Sequence, residues 1–365
     1  MKNSVDNIQF HWRLIQSGEE NVITASSQND GGKAALPDVE AQGAFCKLAQ
    51  DLGIASVLID INYGKPDPML LPLALAKYAP DLGYIIAIRS GLISPTLFTQ
   101  QINTLSTLIR GKIFINIVAG YNPAELKTYG DFLPHDERYA RTGEFLDVCT
   151  RFWNKNGPVS VTGDYLQVEG GLLNTPFVSE HGDRPFLFIS GGSQPAIDLT
   201  EAYGDCWMQL GEPPEKLGAK LAPLLEQGKS AGLRFSVICR ETMEEALAAA
   251  FQLKESTAQD KDRQTSLVLK SDSYSLRENM LLAEEDWPSS RVWTGLIKSV
   301  GPTGIALVGS YEEIALKIME FKRAGVTHFI LSGWPKLEEM KRFGTHVMPL
   351  VRNMEKEEKS VVSHA

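Results

Sequence analysis

Two residues at the start of one predicted helix are of types that can bind an anion. The stretch 132–153, FLPHDERYARTGEFLDVCTRFW, has apolar residues at helical spacing in its second half, and Asp136 suits the N-cap position. Neither the apolar face of the helix nor its N-cap requires His135 or Tyr139. Backbone N–H groups at a helix N-terminus, with a His and a Tyr beside them, could hold an anion such as a phosphate. Taken alone, His135 also fits a structural capping role.

A glycine-rich turn forms a second candidate anion site. The turn Ser190-Gly191-Gly192-Ser193 follows a short apolar run and precedes a predicted helix. Glycines let the backbone approach a ligand closely, and a Ser in the last position can cap the helix. Free amides and the helix dipole would then favour a phosphate. A plain tight turn is the alternative, but the His and Tyr of the preceding main helix could approach the same site.

Charged and aromatic side chains follow several other apolar runs. Arg89 ends a buried run, where an unpaired cation is costly, so it needs either an acidic protein partner or an anionic ligand. Asp60 ends another apolar run, where an unpaired anion is costly in the same way, so it needs a cationic partner. Trp12 and Trp334 stand at the ends of two further runs, where they are either site residues or core aromatics.

The elements that would position these residues alternate between short strands and helices. Most strands read as continuous apolar runs, as expected for parallel strands that are covered by helices. Eight strands, each followed by a helix, predict a (β/α)8 (TIM) barrel with insertions, in which function lies at the carboxyl ends of the strands. An open doubly wound sheet is the alternative, weakened because no Gly-x-Gly-x-x-Gly follows the first strand. The predicted strands are 8–12, 55–60, 84–88, 112–119, 186–190, 206–210, 234–239 and 327–332.

Two stretches interrupt this repeat. Residues 156–184 read as a hairpin-like excursion, and residues 255–290 form a polar insertion that is either a mobile lid or a surface extension. We therefore expect a single domain over 1–355, with a frayed, charged tail at 356–365.

Composition excludes several classes of function. The net charge of −9 argues against a nucleic-acid partner and against binding to a membrane by charge. We find no signal peptide and no apolar run of the roughly 18 residues that span a bilayer, so the protein is expected to be cytoplasmic. The six histidines have no metal-binding spacing, and no metal is predicted. The four cysteines form no Cys-x-x-Cys pair, and the apolar runs around three of them predict buried free thiols.

From about residue 8 to 351 the chain resembles the luciferase-like flavin monooxygenases, and most closely the alkanesulfonate monooxygenases. The resemblance implies a TIM barrel, FMN as cofactor and a homo-oligomer, either a dimer or a tetramer. It also implies that a separate NAD(P)H-dependent flavin reductase supplies FMNH2, which reacts with O2 to a flavin C4a-peroxide that oxygenates a small organic substrate. The motifs that carry it are FINIVAGYNPAEL, DFLPHDERY, FISGGS, LGEPPE and FILSGWPKLEE.

The resemblance places the flavin phosphate beside Tyr139 and Ser193, with His135 close by, and so gives the polar helix start a reason. It also places Asp60 and Asn116 along the flavin pocket. The full set implied for the cofactor is Asp60, Asn116, His135, Tyr139, Gly191, Gly192 and Ser193.

The substrate side departs from the alkanesulfonate pattern. Arg89 and Trp12 match it, but Lys65 stands where that group has a Cys, and Trp334 replaces a Tyr. The stretch LRFSVICRETMEEA lacks the group's Arg-x-His pair, and VGPTG at 300–304 lacks its Arg. The predicted substrate-binding residues are Trp12, Lys65, Arg89 and Trp334, and no catalytic residue is assigned. Arg13, Lys65 and Arg89 could restore the missing positive charge if they converge.

Three functions remain open. The first is an FMNH2-dependent monooxygenase whose substrate is an organosulfonate or, alternatively, a biosynthetic intermediate bound to a carrier protein. The second is a flavin-binding protein without oxygenase activity, which the missing substrate-side residues favour. The third is a reductase that uses the deazaflavin cofactor of the same superfamily, and it is weaker because the closest motifs belong to the FMN branch.

Overall fold

Eight parallel strands close into a barrel in the computed structural model, which describes residues 7–16, 36–154, 157–257 and 271–362. The ring runs β1-β2-β3-β4-β7-β8-β9-β12 and returns to β1, with every neighbouring pair parallel. This closed barrel confirms the predicted fold class and excludes the open sheet. The ring strands are β1 (Gln9–Arg13), β2 (Ser56–Ile59), β3 (Gly83–Ile88), β4 (Ile113–Val118), β7 (Phe186–Ser190), β8 (Cys206–Leu210), β9 (Ser230–Arg240) and β12 (Val326–Gly333).

Four further strands lie outside the ring. β5 (Val159–Thr162) and β6 (Gln167–Gly171) form an antiparallel hairpin between β4 and β7. β11 (Ala306–Ser310) pairs in parallel with the second half of β9, and the two-residue β10 (Val292–Trp293) pairs with β11. The sequence did not predict β11, and it placed the start of β9 four residues too late.

Helices cover the barrel from outside. Sequence signals explain several of their starts, since Ser94 caps a helix that begins with Pro95, and Ser310 and Glu313 form a capping box. Between β8 and β9 the chain forms a 3₁₀ turn, Pro214–Lys216, followed by an α-helix. The helices are α1 (Val39–Asp51), α2 (Leu71–Leu75), α3 (Pro95–Leu108), α4 (Pro123–Thr128), α5 (His135–Asn154), α6 (Gln194–Tyr203), α7 (Gly218–Glu226), α8 (Met243–Ser256), α9 (Tyr274–Leu282), α10 (Ile297–Val300), α11 (Tyr311–Arg323), α12 (Lys336–Arg342) and α13 (Met348–Val362).

The two faces of each ring strand have different surroundings. On β1, Phe10 and Trp12 pack outward against Phe343, which follows α12. His11 points into the barrel, where its ring meets Phe114 and Phe188. Because side chains alternate along a strand, the next inward position after His11 is Arg13, at the carboxyl end of β1.

All four cysteines are buried free thiols, which confirms the prediction made for the three that lie in apolar runs. Burial raises the pKa of the Cys46 and Cys149 thiols to about 12 each. Within the described ranges, no helix is long and apolar enough to cross a membrane. The same ranges contain no group of His, Cys, Asp or Glu side chains that could hold a metal ion.

Candidate functional site

A cavity of about 1150 Å³, counted with its open mouth, lies at the carboxyl ends of the ring strands. This is the end at which barrels of this type carry their sites. Its polar lining comprises Arg13, Asp60, Asn62, Lys65, Arg89, Asn116, Tyr121, Tyr139, Ser190, Gln209, Arg234, Ser273, Ser275 and Thr303.

Three cations surround the carboxylate of Asp60, just after β2. Arg13 Nε donates to Asp60 Oδ2 over 2.5 Å, and Lys65 Nζ donates to the same oxygen over 2.8 Å. Arg234, on β9, places a guanidinium nitrogen 3.8 Å from Asp60 Oδ1. Gln16 fixes the Asp60 backbone through bonds to both its N–H and its carbonyl oxygen. We call Arg13, Asp60, Lys65 and Arg234 the Asp60 cluster.

Burial and charge oppose one another in this cluster. Burial alone would raise the pKa of Asp60, but the charges of Arg13, Lys65 and Arg234 outweigh it and hold the pKa well below its ordinary value. Burial lowers the pKa of Lys65 to about 8, with a further contribution from Arg13, while Asp60 opposes the shift. The Asp60 cluster thus keeps three cations around a single ionised carboxylate.

Arg89, at the end of β3, forms a separate cationic group. Its Nη2 donates to Glu125 Oε1 over 3.0 Å, and Asn62 Nδ2 donates to the same oxygen over 3.1 Å. The Arg89 side chain is only 4% exposed, yet its Nε and Nη1 have no hydrogen-bond partner within the described residues. The acidic partner that Arg89 required is therefore Glu125, from the first turn of α4. Two donor nitrogens of Arg89, Nε and Nη1, remain without a bond to the described residues.

The turn Ser190-Gly191-Gly192-Ser193 meets Tyr139 as predicted from the two sequence motifs. The Tyr139 hydroxyl donates to the carbonyl oxygen of Ser190 over 3.2 Å. Gly191 has a φ of +139°, and a Cβ there would collide with the Tyr139 hydroxyl. Ser193 is the N-cap residue of α6, but its buried Oγ makes no capping bond and has no well-oriented partner among the described residues. Burial raises the pKa of Tyr139, and the nearby Ser193 hydroxyl partly offsets the rise.

His135 lies beside this turn without lining the cavity. Its ring is 5.0 Å from that of Tyr139, and its Nδ1 lies 2.7 Å from Asp136 Oδ1. Helix α5 begins at His135, so Asp136 is inside the first turn and the prediction that it is the N-cap was wrong. Gly192 and Ser193 also adjoin the cavity through Gly191 rather than lining it directly.

The structure corrects the predicted positions of the two tryptophans. Trp12 faces the helices and contacts Phe343, because it is one residue away from the inward-facing Arg13. Trp334 belongs to a separate apolar cluster with Ile238 and Trp293, outside the barrel ring. Neither side chain lines the cavity, whereas Asp60, Lys65, Arg89 and Asn116 all do.

Some charged and polar residues of the site were not predicted, because their partners are distant in the sequence. Arg234 was passed over because it lacks the Arg-x-His pattern, although a lone Arg inside the apolar run of β9 was a usable signal. Gln209 and Lys220 both donate to Glu212, in the LGEPPE motif. Burial raises the pKa of Glu212, and Lys220 opposes the rise.

Part of the 255–290 insertion covers the cavity, and Ser273, Ser275 and Leu276 line it. The segment is tied down by Asp272, which pairs with buried Arg138 over 2.8 Å, and by Ser271, which donates to the Tyr121 carbonyl. Of the predicted lid, Ser273, Ser275 and Leu276 thus line the site, whereas 258–270 lie outside the described residues. Whether the segment moves stays a prediction.

Comparisons with known proteins agree with this architecture. A family model described as luciferase-like monooxygenase matches residues 20–328. The structure is similar to EDTA monooxygenase (EmoA) from Chelativorans sp. BNC1, with a TM-score of 0.74 and 18% identity over 96% of this chain and 94% of that one. The oxygenating constituent of 3,6-diketocamphane monooxygenase from Pseudomonas putida, in complex with FMN, matches at 0.66 and 17% over 94% and 98%. An F420-dependent secondary alcohol dehydrogenase matches at 0.65 and 18% over 95% and 99%. At these identities the structural likeness supports the fold alone.

Proposed function

Because the chain belongs to the luciferase-like monooxygenase family, we propose that it is a two-component monooxygenase that uses reduced FMN and O2. A separate NAD(P)H-dependent flavin reductase would supply the reduced FMN. One oxygen atom would enter a small anionic organic substrate, and the other would leave as water. The observation that carries the proposal is the polar turn formed by Gly191, Ser193 and Tyr139 at the edge of this cavity.

The residues at this turn fit a phosphate monoester such as that of FMN. The buried Ser193 Oγ has no well-oriented partner among the described residues, so a hydrogen bond to a ligand would remove an unfavourable state. At Gly192 a Cβ would lie 2.6 Å from Gln209 Oε1 and 2.9 Å from Ser275 Oγ, so only glycine leaves the backbone accessible there. Tyr139, Ser193 and the amides of the turn would hold the phosphate, at the N-terminus of the ten-residue α6.

The flavin ring would occupy the cavity along Asn116, with Asp60 at its border with the substrate. Asn116 Oδ1 accepts a hydrogen bond from Ser190 Oγ over 2.5 Å, which fixes the amide and leaves its N–H₂ group for a ligand. When bound, reduced FMN would supply the electrons that activate O2. The chain's own contribution would be to bind, orient and exclude water, with Ser273, Ser275 and Leu276 forming the cover over the cavity.

The substrate would be held by the cationic part of the cavity. Arg13, Lys65 and Arg89 could restore the missing positive charge only if they converge. All three line this one cavity, together with Arg234. Fixed guanidinium and ammonium groups suit sulfonate, phosphonate or carboxylate groups. Organosulfonates are therefore the first substrates to test. A carrier-bound intermediate is the second candidate, favoured by the cavity's open mouth.

A reconstituted assay tests the proposal. The protein is combined with FMN, NADH, a flavin reductase and O2, and a panel of sulfonates, phosphonates and carboxylates is screened by mass spectrometry and sulfite release. We expect a product containing one atom of ¹⁸O from ¹⁸O₂ that requires every component. FMN binding without any oxygen-dependent product from the panel would favour the flavin-binding protein. Tight binding of the deazaflavin F420 without binding of FMN would overturn the proposal in favour of a deazaflavin reductase.

A further inference from the structure

The charged residues that line the cavity do not balance one another. Among the described lining residues, Arg13, Lys65, Arg89 and Arg234 are cations, whereas Asp60 is the single carboxylate. Glu125, behind Arg89, adds one more negative charge. Four cations against two carboxylates leave an excess of two positive charges, in side chains that are at most 24% exposed. Buried cations without counter-ions are costly, so the cavity is built to receive negative charge.

The two positive charges in excess lie in the Asp60 cluster, and Arg89, whose charge Glu125 balances, forms a second group of donors. The buried Nε and Nη1 of Arg89 have no hydrogen-bond partner among the described residues, while its Nη2 donates to Glu125. In the Asp60 cluster, Arg13 and Lys65 both bond Asp60 Oδ2, whereas Arg234 stays 3.8 Å from the other oxygen, beyond hydrogen-bond distance. A planar guanidinium with free N–H groups suits a carboxylate or sulfonate. Net positive charge in the Asp60 cluster and unpaired donor nitrogens on Arg89 therefore suit one anionic group each.

The two groups follow neighbouring strands of the barrel. Lys65 and Asp60 belong to the loop after β2, and Arg89 ends β3, its neighbour in the barrel. Adjacent strands are about 4.8 Å apart, so a short spacer could join two anionic groups bound there. Asn62 lies between them, since its side chain donates to Glu125 and its carbonyl accepts from the Lys65 amide over 3.0 Å.

Neither group overlaps the turn proposed for the FMN phosphate. That turn follows β7 and offers Tyr139, Ser193 and backbone amides, whereas the four cations come from β1, the loop after β2, β3 and β9. We infer that the substrate is a small dianion, such as a dicarboxylate, a disulfonate or a sulfonated carboxylate, with one anionic group at Arg89 and the other at the Asp60 cluster. This inference deepens the proposed function and names the substrate class of the same cavity.

Matched pairs of ligands test it. Succinate is compared with butyrate, and ethane-1,2-disulfonate with ethanesulfonate, by calorimetric titration of the protein with and without oxidised FMN. Each dianion should bind roughly 10- to 100-fold more tightly than its monoanion, the worth of an added pair of charge-assisted hydrogen bonds. Equal affinity of mono- and dianions in both states would overturn the inference. FMN binding is read in the same experiment, so loss of the proposed function is seen separately from loss of the dianion preference.

Two variants locate the two groups. Arg89→Lys keeps the charge beside Glu125, which guards folding, but removes the guanidinium fork. Lys65→Met removes a cation from the Asp60 cluster. Each should lower dianion affinity roughly 10-fold while changing monoanion affinity less. Lys47→Met, on the exposed face of α1, is the matched charge control. Unchanged dianion affinity in Arg89→Lys, with melting temperature preserved, would contradict the assignment.

Discussion

The hydroxyl oxygen of Ser275 accepts a hydrogen bond from the amide N–H of Gly192 over 2.8 Å, although 83 residues separate them. The contact joins the first turn of α9, in the insertion, to the turn that precedes α6. A ligand phosphate at this turn must therefore share the Gly192 amide with Ser275 or displace it. The position of the insertion is thus coupled to occupation of the turn.

Replacing Ser275 with Ala should loosen the insertion over the cavity. Loss of one intramolecular hydrogen bond costs about 0.5–1.5 kcal/mol, so amide hydrogen exchange in α9 should accelerate roughly 2- to 10-fold. Ser256→Ala is the matched control, because the Ser256 hydroxyl bonds only the Leu253 carbonyl within α8. Exchange in α9 that is equal in both variants would show that the Ser275 contact does not hold the insertion.

Gly191→Ala should destabilise the fold and displace Tyr139. The φ of +139° is unfavourable for a residue with a side chain, and the added Cβ would meet the Tyr139 hydroxyl. We expect a loss of about 1–3 kcal/mol in the free energy of unfolding, measured by urea titration. Gly218→Ala is the control, since a Cβ at that helical position meets nothing within 4 Å. It should be neutral or stabilising by up to about 1 kcal/mol. Similar losses in both variants would exclude a special conformation at Gly191.

Tyr139→Phe and Ser193→Ala should each weaken FMN binding. Each change removes a hydroxyl proposed to bond the charged phosphate, and we expect a loss of about 1–2 kcal/mol per variant. Quenching of FMN fluorescence measures the dissociation constant. Thr104→Ala serves as the control, because the Thr104 hydroxyl bonds the Gln100 carbonyl on the exposed side of α3. If both site variants bind FMN as the control does, these hydroxyls are not part of the phosphate site.

The barrel could be predicted because its strands are covered on both faces. Runs such as YIIAI and KIFINIVA are apolar at every position or nearly so, which identifies parallel strands without any knowledge of their partners. β11 was missed because its five residues, ALVGS, run directly into the capping box of α11.

The site was only partly predictable, for a geometric reason. Sequence position identifies the ends of the strands, and Asp60, Lys65, Arg89 and Asn116 indeed line the cavity. Which way a side chain points changes with a single residue, so Trp12 was placed in the site that its neighbour Arg13 occupies. Pairings between distant strands, such as Arg234 with Asp60, depend on closure of the barrel and have no signature in the local sequence.

Anion binding in the cavity should weaken as pH rises through about 8. Burial lowers the pKa of Lys65 to about 8, so its ammonium is charged below that pH and neutral above it. Asp60, which faces Lys65, stays ionised in this range because its pKa is held well below its ordinary value. Burial lowers the pKa of Arg234, and the charge of Asp60 opposes that shift. A bound anion favours the charged Lys65, which moves the midpoint upward.

Titration of ethane-1,2-disulfonate at pH 7 and pH 9 measures the effect. The wild type should lose affinity at pH 9, whereas Lys65→Arg should keep it, because a guanidinium stays charged at both values. Lys65→Met should bind weakly at both. An equal loss at pH 9 in wild type and Lys65→Arg would assign the pH dependence to another group.

A buried histidine pair inside the barrel, His11 on β1 and His328 on β12, should lower the free energy of unfolding in acid. His11 Nε2 lies 2.9 Å from His328 Nδ1, and His11 Nδ1 lies 2.6 Å from Ser56 Oγ. Burial lowers the pKa of His328 to about 4. Burial, with a smaller contribution from the charge of His328, also holds the pKa of His11 well below its ordinary value. Both rings are therefore neutral in the folded protein at neutral pH.

Protonation of the unfolded chain then sets the direction of the effect. Each unfolded His takes up a proton below a pKa of about 6.5, whereas the folded His328 does so only near 4, so stability falls as pH decreases across this interval. For His328 the full loss is on the order of 3 kcal/mol. Urea unfolding at pH 7, 6 and 5 should give His328→Gln a shallower decline than wild type, because its share of proton uptake is gone. His346→Gln, at an exposed position, should decline as the wild type does. A decline in His328→Gln as steep as that of the control would mean that carboxylates, and not the buried pair, determine acid stability.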